Sequence, residues 1–293
     1  MNFMQNNTVP ENSVFSTKSS INCKGKILDL QEPKIMGILN ITPDSFYNGG
    51  EHEKMDNAIA AADKMIEEGA DILDIGGIST RSGSAEIPTE EELKRVLPFI
   101  DILHRRFPHI PISVDTYRSK VCREAVNAGA SIINDISGGA FDEKLFQTVA
   151  ELGVPYILMH IQGNPKTMQQ NPHYVDVEAE LFLYFSEKLN ELRALGVKDI
   201  ILDPGFGYGK NLEHNYTLLK NLQHFGILGC PILAGVSRKS MIWKLLECTP
   251  KEALNGTTVA NTLALLQGAK ILRVHDVKQA KEAIRIVSYF QKQ

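Results

Sequence analysis

From about Lys34 onward the chain repeats one unit: a short aliphatic run with no polar alternation, then a longer amphipathic stretch. A strand with one face in water alternates apolar and polar residues. Unbroken Ile, Val and Leu runs instead belong to strands buried on both faces, as in parallel sheets covered by helices. The runs lie near 34–40, 71–76, 110–115, 131–134, 154–160, 199–203, 231–236 and 270–275. Amphipathic stretches between them include 57–68, 90–106, 120–127, 177–194 and 256–267. Gly69, Gly129, Gly153, Gly196 and Gly268 stand just before runs begin, where a left-handed residue ends a helix. Thr89 with Glu92 three positions on reads as a capping box. Strand–helix alternation of this length implies right-handed crossovers. Eight strands favour a single closed (β/α)8 barrel, a TIM barrel with long βα loops, over an open doubly wound sheet, which the count leaves open. No linker divides residues 31–293, and residues 1–30 read as a poorly ordered or irregular leader.

A formal charge of -4 and a pI near 6.1 give no reason to expect nucleic acid or an anionic membrane as partner. An anionic ligand must therefore be met by local basic residues. Cys23, Cys122, Cys230 and Cys248 are scattered without metal spacing, as befits reduced thiols in the cytoplasm. The first twenty or so residues have neither the basic start nor the apolar core of a signal peptide.

The runs end in polar residues. Asn40, Asp115, Asn134-Asp135, His160, Asp203, Arg273 and His275 each close or follow one. In a parallel barrel all strand ends share one rim, and chemistry is done there. The loop from Asn40 to Gly50 is longer than a βα turn requires and reads as a lid. The loop from Gly76 to Ser84 carries Thr80 and Arg81 among glycines and hydroxyls, a weak phosphate-cradle signal. Asp203 to Lys210 fails the nucleotide-loop spacing, and Asn211 stands where a Ser or Thr would bind magnesium. Asp203 is better read as a rim carboxylate accepting hydrogen bonds from a flat heterocycle. Arg238 and Lys239 open a helix against its dipole, a cost that an anionic or carbonyl-bearing ligand would offset. Alternation puts Arg273 and His275 on one strand face, near the phosphate site that barrels build after strands seven and eight.

Five segments in order carry a resemblance: Asn40-Ile41-Thr42-Pro43-Asp44-Ser45-Phe46, Ser113-Val114-Asp115-Thr116, Asp203 to Lys210, Ser237-Arg238-Lys239-Ser240 and Arg273-Val274-His275-Asp276. Together they closely resemble the dihydropteroate synthases of the pterin-binding barrel family. The resemblance implies transfer of a pterinylmethyl group. 6-Hydroxymethyl-7,8-dihydropterin diphosphate and 4-aminobenzoate would give 7,8-dihydropteroate and diphosphate, with Mg2+, in a homodimer that sulfonamides target. It implies that Asp115, Asn134 and Asp203 bind the pterin edge and that Lys239 reaches its carbonyl and ring nitrogen. Thr80, Arg273 and His275 would meet the diphosphate, and Asn40 would ligate magnesium. Arg81, Met159 and Val274 would complete the substrate lining, with Arg238 and Ser240 near the aminobenzoate carboxylate. Asp115, Lys239, Arg273 and His275 would be catalytic. The chain departs from the family at Ile78, where Glu is usual, and at Ser82, where Pro is usual. Further departures are Tyr47-Asn48 for Ser-Asp and Tyr208 for Phe. A methyltetrahydrofolate-dependent corrinoid methyltransferase shares the pterin contacts but has no use for a diphosphate site. A non-catalytic paralogue would bind pterins without turnover, and a phosphate-binding barrel isomerase would need an acid–base pair on opposing strands.

Overall fold

The computed structural model describes residues 17–41, 51–78 and 87–293. The elements in chain order are β1 (Ser20–Cys23), β2 (Lys26–Asp29), β3 (Lys34–Asn40), α1 (Glu51–Glu67), β4 (Ile72–Gly76), α2 (Thr89–Arg106), β5 (Ile112–Asp115), α3 (Ser119–Ala128) and β6 (Ile132–Asp135). Then follow α4 (Leu145–Leu152), β7 (Tyr156–Met159), α5 (Val177–Ala194), β8 (Ile200–Asp203), α6 (Leu212–Lys220), β9 (Leu233–Ala234), α7 (Ser240–Trp243), α8 (Leu254–Leu266), β10 (Ile271–Val274) and α9 (Val277–Gln291). Strands β3 to β10 pair in parallel in the order β8-β7-β6-β5-β4-β3-β10-β9. A parallel bridge from Leu202 to Ile232 joins the two ends, and the Leu202 amide donates to Pro231 at 2.9 Å. The ring is therefore closed as a (β/α)8 barrel. The seventh barrel strand is shorter than the 231–236 run, because Pro231 has no N–H to give.

Side-chain alternation sorts each strand. Ile35, Leu39, Leu73, Ile75, Val114, Ile133, Leu158, Leu202 and Val274 point outward into the core shared with the helices. Met36, Ile72, Ile132, Ile157, Ile201, Leu233 and Ile271 point inward and form a dry layer at the amino-terminal end of the barrel. Fully burying such a side chain stabilises by ~1.5–3 kcal/mol.

That layer is sealed by a segment expected to be irregular. Residues 20–29 form an antiparallel hairpin whose Ile21 and Cys23, with Leu30, pack against the inward layer. The turn is Lys24-Gly25, with φ of 52° and 87°, the two left-handed residues of a two-residue hairpin loop. The expectation of an irregular leader therefore fails over these residues; residues 1–16 lie outside the described residues.

The capping-box expectation also fails. The residue before α2 is Pro88, which makes no side-chain cap, and Glu92 is fully buried instead. Its Oε2 accepts from Arg118 Nη1 at 2.9 Å. An inward-facing position one turn into the helix recruits this carboxylate for an ion pair rather than a cap.

Candidate active site

Two residues beyond the dry layer on most strands, the inward side chains become polar. Asp74, Asn134, Asp203 and Arg273 occupy such positions, Ser113 faces inward on β5, and Asn40 and Asp115 stand beside them at the rim. The parallel register aligns Asn40 with Gly76, Gly76 with Asp115, and Asp115 with Asn134. The polar residues thus line one bowl at the carboxyl end of the barrel.

Its centre is a buried charge cluster. Arg273 donates from Nε to Asp74 Oδ2 at 2.7 Å and from Nη2 to Asp115 Oδ2 at 2.6 Å. Asp74 Oδ2 also accepts from Asn134 Nδ2 at 3.1 Å. One guanidinium thus serves two carboxylates. Burial disfavours the Arg273 cation, but Asp74 and Asp115 outweigh that and hold its pKa above the ordinary value. Burial pushes Asp115 well above the usual carboxylate range; Arg273 opposes the rise, while Asp74 and Glu92 add to it. The other oxygens of both carboxylates, Oδ1 of Asp74 and of Asp115, are buried without a hydrogen-bond partner among the described residues. Such atoms are costly unless a ligand meets them.

A second group faces the first. Lys239 Nζ donates to the Phe206 carbonyl and lies 4.7 Å from the centre of the Tyr208 ring. Burial lowers its pKa to about 8, with Asp203 working against that shift. Asp203 Oδ1 accepts from the Gly205 amide at 2.8 Å, and burial raises its pKa. A methyl group on Gly235 would sit 3.7 Å from Lys239 Nζ and 3.9 Å from Asp203 Oδ2. The bare glycine therefore leaves a slot between the Lys239 amine and the Asp203 carboxylate.

The Asp203–Lys210 segment is shaped from beneath. Gly205, Gly207 and Gly209 all have positive φ, at 68°, 79° and 62°. Lys210 is buried, and its Nζ reaches the Gly205 carbonyl at 3.1 Å, the Tyr208 carbonyl at 3.0 Å and His160 Nδ1 at 3.0 Å. Lys210 is thus an internal brace for this loop, and His160, neutral through burial, is its acceptor.

Three comparisons bear on this arrangement. A pterin binding enzyme family model matches residues 36–275. The dihydropteroate synthase of Escherichia coli K12 is 49% identical over 266 residues, covering 90% of this chain and 94% of that protein. Two solved Xanthomonas albilineans dihydropteroate synthases superpose over 94% of this chain. The one with 4-aminobenzoic acid has 41% identity and a TM-score of 0.88 over 100% of its chain. The one in complex with 7,8-dihydropteroate has 39% identity and a TM-score of 0.85 over 99% of its chain.

The chain belongs to the dihydropteroate synthase family of pterin-binding enzymes.

Within this dihydropteroate synthase fold, Asp115, Asn134, Asp203, Lys239 and Arg273 come together in the bowl. Met159 ends β7 and packs within 3.3 Å of the Cβ position of Gly205. His275 stands exposed at the rim, with its Nδ1 3.1 Å from Ser237 Oγ. Ser240 is half-buried at the start of α7. Two expectations are corrected. Val274 has its side chain in the helix-facing core, since alternation turns it away from Arg273. Arg238 is committed elsewhere: its guanidinium grips Asp276 through two 2.8 Å bonds and donates to the carbonyls of Pro250 and Lys251. Its backbone is left-handed, with φ of 53°. Thr80, Arg81, Ser82 and most of the Asn40–Gly50 loop lie outside the described residues.

Asp74 was missed. It sits in mid-strand, between Leu73 and Ile75, not at a strand end. The available signal was a lone carboxylate inside a fully apolar run, which needs a buried cation as partner.

Proposed function

We propose that this chain condenses 6-hydroxymethyl-7,8-dihydropterin diphosphate with 4-aminobenzoate to give 7,8-dihydropteroate and diphosphate. The observation that carries this reading is the bowl itself. Three acceptors (Asp115 Oδ1, the Asn134 amide oxygen and the Asp203 carboxylate) and one donor (Lys239 Nζ) line a single slot. A pterin edge presents the complementary set, with several N–H donors and a carbonyl with a ring nitrogen.

The chemistry follows from the charges. The bond from the methylene carbon to the diphosphate oxygen breaks, and its electron pair leaves with diphosphate. Positive charge spreads from the methylene into the conjugated ring, facing Asp115 and Asp203. Preorganised charges in a dry site supply ~3 kcal/mol each to such a transition state. The aromatic amine then forms the new C–N bond and loses a proton. Arg273 reaches this reaction mainly as the counter-ion of Asp115, since Nε and Nη2 are already committed. Among the described residues, His275 at the rim and the remaining Arg273 nitrogen are the groups proposed to meet the departing diphosphate.

Magnesium is part of the same proposal. Asn40 Oδ1 lies 3.4 Å and Asp115 Oδ2 3.7 Å from the point where a Gly76 Cβ would stand, so the two side-chain oxygens come together over this glycine. Among the described residues no group of three or more His, Cys, Asp and Glu could hold a metal. That suits a hard ion carried largely by diphosphate oxygens and water, with Asn40 as the protein ligand. Bound there, magnesium would neutralise the leaving diphosphate.

A homodimer is also proposed. Val259, Leu263 and Leu266 on α8 and Ile286, Tyr289 and Phe290 on α9 are exposed, and the two helices are neighbours. α8 carries Val259, Leu263 and Leu266 on its exposed face as well as apolar residues on its buried one, which fits burial against a second copy. The buried thiols of Cys23, Cys122 and Cys230 suit the cytoplasm, and no described helix is long and apolar enough to cross a membrane.

The deciding assay supplies both substrates and magnesium to purified protein and follows dihydropteroate and diphosphate together. Equimolar products that require the amine support the reading. Tight binding of methyltetrahydrofolate with no diphosphate release refutes it. Leu263→Glu with Ile286→Arg should give a monomer by light scattering; an unchanged mass in the wild type and the variant refutes the proposed face.

A further inference from the structure

We infer that Asp74, a residue with no assigned part in the reaction, is a specificity-determining positioning residue that sets which end of the Asn134 amide meets the ligand. The inference rests on the pterin reading above and goes beneath it. A carboxamide can present either an acceptor or two donors, and a half-turn exchanges them. Here one buried carboxylate oxygen, Asp74 Oδ2, takes the Asn134 Nδ2 proton at 3.1 Å and the Arg273 Nε proton at 2.7 Å. Turning the amide would set its oxygen against an anionic oxygen in a site with no exposed surface at Asp74. Asp74 Oδ2 would keep its Arg273 bond, but the Asn134 oxygen would face another acceptor with no donor, which would disfavour that state by about 10- to 100-fold. The nitrogen is therefore committed downward, and the oxygen is what Asn134 offers to the bowl. The neighbouring strand supplies another acceptor, since Asp115 is paired with Asn134 in register and its Oδ1 has no partner among the described residues. Asp74 thus makes the floor of the slot uniformly accepting. The ligand it selects must present a donor at its 2-position there, as the amino group of a 2-aminopyrimidinone does and the carbonyl of a 2-oxo analogue does not.

The test compares 6-hydroxymethylpterin with its 2-oxo analogue, 6-hydroxymethyllumazine, by calorimetric titration. Wild type should prefer the pterin. Asp74→Leu frees the Asn134 amide to turn, and the preference should shrink by about 10-fold, mostly through gained lumazine affinity. Asp74→Asn retains an acceptor oxygen and should keep the preference, a rescue that a merely structural role does not predict. Equal weakening of both ligands in Asp74→Leu overturns the inference, as does collapse of the preference in Asp74→Asn. Should Asp74→Leu fail to fold, the Asn134 side-chain NH2 signals of wild type decide. They should stay protected from solvent exchange and shift little when pterin is added. Large shifts or rapid exchange overturn the inference. If wild type binds neither heterocycle, the pterin reading itself has failed, and the two results are distinct.

Discussion

Removing the Arg273 guanidinium leaves two carboxylates facing each other in the barrel, and the cost should depend on pH in a calculable way. In Arg273→Met, Asp74 and Asp115 lose their 2.7 Å and 2.6 Å bonds while Asn134 keeps its contact. Breaking a buried pair by removing one partner costs ~3–5 kcal/mol. The carboxylates escape part of this by taking up protons. Starting from an ordinary pKa of 3.8, neutralising one costs about 4 kcal/mol at pH 7 but only about 1.6 kcal/mol at pH 5. The sign follows from proton counting. Without the guanidinium nothing offsets the burial that already raises Asp115, so the folded state binds more protons than the unfolded chain. Stability is then fully present below the unfolded pKa and is lost as pH rises through the folded one, at up to about 1.4 kcal/mol per pH unit per carboxylate. Urea unfolding, followed by circular dichroism and by the single tryptophan Trp243, should show a deficit against wild type of ~3–5 kcal/mol at pH 7.5. The deficit should shrink by ~1.5–3 kcal/mol at pH 5.5. Adding Asp74→Leu should recover much of the loss at pH 7.5, since only one carboxylate then lacks a partner. A deficit that is the same at both pH values, or below ~1 kcal/mol at pH 7.5, refutes the reading of Arg273 as counter-ion to this pair.

The pH dependence of kcat/KM should be bell-shaped, because Asp115 must be ionised and Lys239 protonated. Its acid limb should lie well above ordinary aspartate and its alkaline limb near 8, and Asp115→Asn should remove the acid limb. Gly235→Ala should fold normally, since its methyl group meets Lys239, Arg273 and Asp203 no closer than 3.7 Å, yet it should raise the pterin KM by about 10-fold by filling the slot. Gly205→Ala should lose at least ~2 kcal/mol, because its φ is 68° and its Cβ would stand 2.0 Å from the His160 carbonyl oxygen; thermal unfolding of the two variants checks both. Lys210 has its pKa lowered to about 7 by burial, so the unfolded chain holds the extra proton from there up to 10.5 and wild-type stability should rise across that window. Lys210→Met should remove that rise between pH 7 and pH 8 in urea unfolding, below the point where Lys239 begins to contribute a rise of the same sign.

Much of this was legible in the sequence because the barrel's constraints are one-dimensional. Strands buried on both faces must be aliphatic throughout, so all eight stood out, and a parallel closed sheet must bring their carboxyl ends to one rim. Asp115, Asn134, Asp203 and Arg273 follow from that alone. The hairpin of residues 20–29 did not, since only Ile21 and Cys23 alternate inward and two residues make no period. Glu92 and Arg238 misled for a shared reason. Each is a charge at a helix start, where local electrostatics predicts a cap or a ligand, and each is taken by a tertiary ion pair with Arg118 or Asp276. Long-range partners leave no local mark. Asp74 is the same problem reversed: its partner Arg273 lies 199 residues away, and only the incongruity of an acid in an apolar run betrays it.

The stoichiometry of the floor then explains why the bowl suits a cation-forming reaction and not merely a charged ligand. Asp74 and Asp115 share one guanidinium, and Asp115 is left with a bare inner oxygen and a pKa raised by its surroundings. A fully paired cluster would gain nothing when positive charge appears beside it. This one is short of a positive charge before the reaction begins, and bond cleavage at the pterin methylene supplies it. Binding of a neutral pterin satisfies the hydrogen bonds but not the charge, so the attraction grows along the reaction coordinate, which is the condition for raising kcat rather than lowering KM. Asp115→Asn, which keeps an acceptor but removes the charge, should therefore leave pterin affinity within about 10-fold of wild type while reducing kcat by ~100-fold or more. Equal losses in affinity and kcat would show that the imbalance serves recognition alone.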